Sequence, residues 1–319
     1  MFRTAEEKVF AAVRRKRMNE QRKVIGIDVG GTNIRTGLVN EQKKLSDFER
    51  KSSQEVFSSS SASDGLAMHL LQYMKDHDLH REDIAAVSIG FPSTLDPSRR
   101  IVASTPNIAC LNNVPVADRL EEALHIPVFL NKDVNMLMLY DMYQMELPEK
   151  GIVTGFYIGT GIGNAISING DLLYGDHGVA AELGHIPVMG RTALCGCGNE
   201  GCIELYASGK YLAELCRTKF PGIHIGDIFE KCADDPDVQE FVSSMALPIA
   251  SEINILDPGY VILGGGILQM KGFPKEKLEA EIRRHARKPY PEKGLEFFYS
   301  QPSQENGVIG AGIYAYTCL

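Results

Sequence analysis

The hydrophobic positions of this chain fall into two blocks that begin alike. VIGIDVGGTNIRTGLVN (Val24–Asn40) runs apolar to Asp28, breaks at Gly30-Gly31 and resumes as an alternating run. Alternation with a period of two marks a strand, so the pattern predicts strand, glycine turn, strand. GIVTGFYIGTGIGNAISINGDLLYG (Gly151–Gly175) repeats the idea. It predicts an apolar strand, a Gly-Thr-Gly turn, an alternating strand, an Asn169-Gly170 hairpin turn and a third strand. The two starts lie about 130 residues apart and predict two related α/β halves.

Between and after these blocks the period changes. Helical spacing runs from about Ser60 to Asp78, over Ala117–Leu124, from near Asp133 onward and around Gln239–Asn254. Ile84–Pro92 and Ile126–Asn131 read as buried strands, and Tyr260–Ile267 as a buried strand entering a triple-glycine turn. The end, GVIGAGIYAYTCL, reads as a small-residue helix. A boundary is expected near Asn131. It would separate an N-terminal α/β domain, 23–131, from a C-terminal one, 132–305, with the last helix, about 306–319, packing back on the first. Residues 1–22 are expected to form a helical extension.

Composition narrows the function classes. The chain has 319 residues, room for two domains, and a formal charge of −8. An acidic balance argues against nucleic acid or an anionic membrane as the main partner. No apolar run approaches the roughly 18 residues of a membrane span. MFRTAEEKVFAAVRRKRMNEQRK has no apolar signal-type core, so a cytoplasmic protein is expected. The basic run Arg14–Arg17 reads as a solvated helix face rather than a nucleic-acid patch. Seven cysteines is an odd count, and three of them fall in CGCGNEGC (Cys195–Cys202). That is no disulfide framework. Cys110, Cys216, Cys232 and Cys318 are scattered and read as core or surface residues.

The chemistry concentrates at the turns. Glycine turns after strands let backbone N–H groups approach phosphate oxygens. This chain has three: Gly30-Gly31-Thr32, Gly159-Thr160-Gly161 with Gly163 beyond, and Gly264-Gly265-Gly266. There is no P-loop signature, and strands rather than helices follow the first two turns, which excludes a dinucleotide fingerprint. What remains is a hairpin that clamps phosphates. Asp28, just before the first turn, can orient Mg²⁺ directly or through water. Asp133 in NKDVN, Glu182 in AELGH and Glu204 in CIEL supply carboxylates at element ends. Phosphoryl transfer to an alcohol needs a base for the hydroxyl proton, and a sugar needs carboxylates to match its hydroxyls. Cys195, Cys197 and Cys202 offer three soft ligands for a structural Zn²⁺, which takes four. His177 and His185 both lie near, and spacing alone does not choose between them.

Taken in order, DVGGTNIR, GTGIGN, GVAAELGHIPV, CGCGNEGCIE and VILGGGI resemble the ROK family of bacterial sugar kinases and repressors, over about residues 23–315. The resemblance implies an actin/hexokinase-like pair of ribonuclease-H-like α/β domains with a cleft between them. It implies ATP and a hexose as substrates, Mg²⁺, a structural zinc and a homodimer. It assigns Asp133 as general base and Glu182 and Glu204 as sugar ligands. His185, beside the sugar, becomes the zinc ligand with the three cysteines. Gly30, Gly31 and Thr32, with Gly159, Thr160 and Gly161, match the phosphate loops, and Gly264, Gly265 and Gly266 the adenosine-side turn.

Two positions depart from the family pattern. The residue before the base is commonly Asn and here is Lys132; the G-x-P-G loop ends in Ser93. An amide both donates and accepts, whereas Lys only donates, so a different hydroxyl geometry is matched. The D-allose kinases of the family are most similar here. They share a basic residue before the base, a G-F-P loop, a STPN stretch (Ser104–Asn107) and a run like DHGVAAELGHIP (Asp176–Pro187). Asn107 and Lys132 then become sugar ligands. An ATP-dependent hexokinase, most similar to D-allose kinase, is the expected activity, with a glucokinase, an N-acetylmannosamine kinase or a fructokinase behind it. A repressor would need a winged-helix domain ahead of Asp28, for which 27 residues are too few. A non-catalytic sugar sensor would lack the base, and Asp133 is present.

Overall fold

The computed structural model describes residues 22–58, 61–105 and 108–319, so the helix expected over residues 1–22 lies outside them except for Arg22. These residues form two compact units. One runs up to Tyr140 and includes Gln304–Leu319; the other is Asp141–Ser303.

The first unit is built on β1 (Lys23–Val29), β2 (Asn33–Val39), β3 (Leu45–Ser52), β4 (Ile84–Phe91), β5 (Thr94–Leu95), β6 (Val102–Ser104) and β7 (Val128–Lys132). Its main sheet has the order β3-β2-β1-β4-β7. β1 is antiparallel to β2 and parallel to β4, and β7 is parallel to β4. β5 and β6 make a separate two-stranded ribbon. Every residue of β4 is buried, as a central strand covered on both faces requires. Ile25, Ile27 and Val29 point to one face, where they share a core with Leu66, Leu70 and Tyr73 of the helix Ala62–Asp76 and Leu120 of the helix Val116–Leu124. Val24 points to the other face and packs with Ala86 and with Ala315 of the helix Asn306–Cys318. The small residues of that last helix bring it close. Gly310 lies so near the backbone of Met136 that a Cβ there would overlap the Met136 carbonyl.

The second unit repeats the plan. β8 (Ile152–Ile158), β9 (Ile162–Ile168), β10 (Asp171–Leu172), β11 (Tyr260–Gly264) and β12 (Phe297–Tyr299) follow the order β10-β9-β8-β11-β12. β8 is antiparallel to β9 and parallel to β11, which is parallel to β12. Strand for strand, this is the order and direction of the first sheet, the physical form of the repeated hairpin pattern. The helix Pro236–Leu256 supplies most of the core, with Phe241, Met245 and Ile249 against Phe156, Val261 and Leu263. Its ends follow the capping rules. Asp235 accepts from Asp237 N, Pro236 opens the helix, and Asp257 closes it in the left-handed region at φ 48°.

Several elements escape the hydrophobic pattern for visible reasons. β3 is an edge strand, LSDFERKS, with no fully buried residue. The helix Lys275–His285 buries only Leu278 and Ile282, too few positions to raise a periodic signal. The helix that starts at Asp133 continues to Gln144, and the two compact units divide inside it, at Tyr140–Asp141, beyond the expected boundary near Asn131. Its first turn packs through Met136 on Ala311 and Tyr314 of the last helix. Asp141 instead accepts hydrogen bonds from Tyr157 and Ser300 of the second unit. No helix among the described residues is long and apolar enough to cross a membrane.

Gly310→Ala is expected to destabilise the protein by about 1–3 kcal/mol through overpacking. Thermal unfolding of the variant checks this, and an unchanged midpoint contradicts the close approach to Met136.

Candidate active site

Parallel strands that run side by side also end side by side, and ligands of such sheets bind beyond those carboxyl ends. In the first unit the ends of β1, β4 and β7 carry Asp28, Phe91 and Lys132. Asp28 sits opposite Arg35 across the β1–β2 hairpin, and Arg35 Nη1 donates to Asp28 Oδ2 at 3.0 Å. The turn between them is closed by Gly30 N donating to Asn33 O at 2.9 Å, and Ser53 Oγ donates to Gly30 O at 2.6 Å. Gly31 and Thr32 are exposed at its tip.

Asp133 starts a helix directly beyond β7, and its Oδ1 accepts from Val134 N at 2.8 Å. A Cβ on Gly90 would lie 3.3 Å from the Asp133 Cα, so β4 passes close under Asp133. Loss of water, and then the charge of Asp28, push the Asp133 carboxyl up to about 7 against the opposing pull of the Val134 amide and Lys132. Burial likewise raises the Asp28 carboxyl, with Arg35 opposing. Lys132 is half-buried and pairs with Phe91 across β4 and β7. Asn131, fully buried, accepts from Lys132 N at 2.9 Å and from Asn135 Nδ2 at 2.8 Å, which ties the strand end to the helix start. The loop after β4 is fastened by a buried hydroxyl pair, Ser93 Oγ and Thr105 Oγ1 at 2.7 Å. Asn107 lies outside the described residues.

In the second unit the same edge carries the other two glycine turns. Gly159, Thr160 and Gly161 link β8 to β9, and Gly159 N donates to Gly161 O at 3.0 Å. Gly264 ends β11. Gly265 follows at φ +93° with its Cα against the Ile158 backbone, where any side chain would clash. Ile267 N donates to Ile158 O at 3.0 Å, so this turn is bonded to the strand that leads into the first. Glu204 opens a short helix, and its Oε2 accepts from Ile162 N at 2.9 Å. Glu182 is exposed, and its Oε2 lies 3.8 Å from His185 Nε2.

His185, Cys195, Cys197 and Cys202 come together, with one ligand atom from each and all four atoms within 4.8 Å of one another. Cys195 Sγ lies 3.7 Å from His185 Nδ1, and Cys197 Sγ lies 3.6 Å from Cys202 Sγ. A tetrahedral zinc with Zn–S bonds of about 2.3 Å spaces its ligand atoms by roughly 3.5–3.8 Å, so these residues fit the ion. The cysteines are free, and 3.6 Å is far beyond a disulfide bond. His177 is exposed and outside the cluster; of the two histidines that spacing left open, His185 is the one that lies with the thiols. His185 presents Nδ1 to Cys195 Sγ, and its Nε2 faces Glu182 Oε2 at 3.8 Å, longer than a hydrogen bond.

A family model described as the ROK family matches residues 24–317. The chain belongs to the ROK family. Among curated relatives of this ROK protein, a glucokinase of Thermotoga maritima is 29% identical over 266 residues, 77% of this chain and 82% of that one. An N-acetyl-D-glucosamine kinase of Histophilus somni is 28% identical over 292 residues, 84% of this chain and 92% of that one. Among solved structures, a ROK hexokinase from Thermus thermophilus superposes with a TM-score of 0.76 at 27% identity, covering 92% of this chain and 98% of that one. A ROK glucokinase from Streptomyces griseus, in complex with glucose and AMPPNP, gives 0.75 at 26%, covering 92% and 99%. The fold is the ROK hexokinase-like fold, mixed α/β with two sheets.

Two further features belong to this site, Arg35 and the Ser93–Thr105 pair. Arg35 was legible, because a hairpin centred on Gly31-Thr32 pairs position 28 with position 35. The Ser93–Thr105 pair was not, since only the β5–β6 ribbon brings the two together.

The cluster predicts one zinc per chain in protein purified without chelator, read by elemental analysis. Cys197→Ser is expected to lose both the metal and thermal stability; a variant that retains both contradicts the site.

Proposed function

We propose that this protein is an ATP-dependent hexose kinase, transferring the γ-phosphoryl group of ATP to the 6-hydroxyl of a sugar. The observation that carries the reading is the Asp133 carboxyl. It stands at the carboxyl end of a parallel sheet, with an affinity for protons raised to about 7. A general base works best when its pKa lies near the working pH. Asp133 takes the hydroxyl proton onto a carboxylate oxygen as the sugar oxygen attacks phosphorus. In the first unit Lys132, and in the second Glu182, offer polar groups that match sugar hydroxyls. The Gly30–Thr32 turn of the first unit and the Gly159–Gly161 turn of the second each offer backbone N–H groups to phosphate oxygens, and Gly264–Gly266 is the adenosine-side turn. Asp28, kept in place by Arg35, offers oxygen ligands to Mg²⁺ or its waters. That ion, arriving with ATP, offsets charge on the phosphates. The four-residue cluster binds zinc as a structural ion.

Two substrate readings rest on different observations. The relatives named above act on D-glucose or N-acetyl-D-glucosamine, which supports a sugar of the glucose configuration. Lys132 and Ser93, where the family pattern has Asn and Gly, support D-allose. ADP release with D-allose, D-glucose, N-acetyl-D-glucosamine, N-acetyl-D-mannosamine, D-mannose and D-fructose separates them. The highest kcat/KM on D-allose assigns selectivity to Lys132 and the Ser93 loop. Preference for a glucose-configured sugar removes the allose reading and keeps the kinase. ADP release with none of them favours a sugar sensor.

Asp133 must be deprotonated to accept a proton, so kcat/KM is expected to rise with pH up to about 7 and level off above it. Asp133→Asn is expected to keep sugar and nucleotide binding while kcat falls by roughly 10²–10⁴. Near-normal turnover in that variant rules out the assignment.

A further inference from the structure

The resemblance makes Glu204 a sugar ligand, yet one of its oxygens is already committed. Oε2 accepts from Ile162 N at 2.9 Å, at the point where the Gly159–Gly161 turn enters β9. The carboxylate fills the space that a Cβ on Gly161 would need, so the turn and the acid are fitted to each other. A Cβ on Gly184, one residue before His185, would also lie 3.4 Å from Glu204 Oε2.

The segment after Glu204 holds the rest of the turn. Gly209 N donates to Gly159 O at 2.8 Å, and Lys210 N donates to Thr160 O at 3.1 Å. In a planar trans peptide the N–H points opposite to the C=O. With the Gly159 and Thr160 carbonyls turned to Gly209 and Lys210, the Thr160 and Gly161 N–H groups are aimed the other way, side by side. Two adjacent amides aimed together form an anion-binding concavity.

The segment before Glu204 is the metal loop. Cys202 precedes it by two residues. Ile203 N donates to Ile186 O at 2.9 Å and Val188 N donates to Gly201 O at 2.8 Å, so the strand of loop that carries Cys202 is stitched to the one that follows His185. Cluster, Glu204 and phosphate turn therefore form one hydrogen-bonded chain within a single unit.

We propose that Glu204 is a positioning residue for the phosphate turn. Through it the metal loop governs nucleotide binding, independently of any sugar; the nucleotide part rests on the kinase reading above. Oε2 latches the turn, and Oε1 is left for a sugar hydroxyl.

The test separates reach from charge. Glu204→Gln keeps the length and a carbonyl acceptor for Ile162 N, whereas Glu204→Asp keeps the charge and falls one methylene short. Calorimetry with Mg²⁺ and a non-hydrolysable ATP analogue, without sugar, reads nucleotide affinity. Amide hydrogen exchange reads Ile162 directly. Glu204→Gln is expected to bind nucleotide within about twofold of wild type and keep Ile162 protected, while Glu204→Asp loses about tenfold or more and exchanges faster. Cys197→Ser is expected to speed Ile162 exchange as well. Wild-type affinity and protection in Glu204→Asp, or equal losses in both Glu204 variants, overturn the latch. Unchanged Ile162 exchange in Cys197→Ser overturns the link to the metal loop. Absence of nucleotide binding in the wild type sinks the kinase reading instead, and the exchange comparison still decides whether Glu204 holds the turn.

Discussion

Parallel pairing of strands is the constraint on which the rest of this protein depends. β1, β4 and β7 run the same way, so their carboxyl ends coincide, and three distant stretches of chain deliver Asp28, Gly90 and Asp133 to one edge. β8 and β11 do the same for the glycine turns at Gly159 and Gly264. A parallel pair needs a crossover, and the crossovers here carry helices that bury one face of each sheet. The same pairing thus builds the core and gathers the chemistry.

Gathering carboxylates in places poor in water has an electrostatic consequence. Asp133 holds its proton up to about 7 because solvent is thin around it and Asp28 stands nearby. Two other buried carboxylates are raised in the same way but accept from side-chain donors. Asp141 is raised to about 6 by burial, with the Tyr157 and Ser300 hydroxyls donating to its two oxygens at 2.8 and 2.9 Å. Glu252, pushed up to about 7 by burial, accepts from Asn164 Nδ2 at 3.1 Å. Asp133 differs from both in that it accepts from backbone amides, Val134's and its own, rather than from a side chain.

The metal loop solves a separate problem. CGCGNEGC has almost no apolar side chain with which to fold itself. Four converging ligand atoms and a few backbone hydrogen bonds, such as Cys195 N to Asn199 O at 2.8 Å, take the place of a core. Glu204 lies two residues beyond Cys202 and accepts from Ile162 N, where the Gly159–Gly161 turn enters β9.

By itself, the sequence determined what depends on local pattern. The repeated hairpin of alternating residues foretold two like sheets, and the cysteine octapeptide foretold a metal-type cluster, because period and ligand spacing are properties of adjacent residues. Polar edges such as β3 and sparse helices such as Lys275–His285 left no such mark. Only the tertiary structure chose His185 over His177, since both are close in sequence and one alone turns toward the thiols. Only it joined Ser93 to Thr105 and Glu204 to Ile162, because those contacts are made by ribbons and loops folding back across the chain. The raised proton affinity of Asp133 belongs to the same class: it arises from burial and from a second carboxylate that strand pairing, not spacing, brings near.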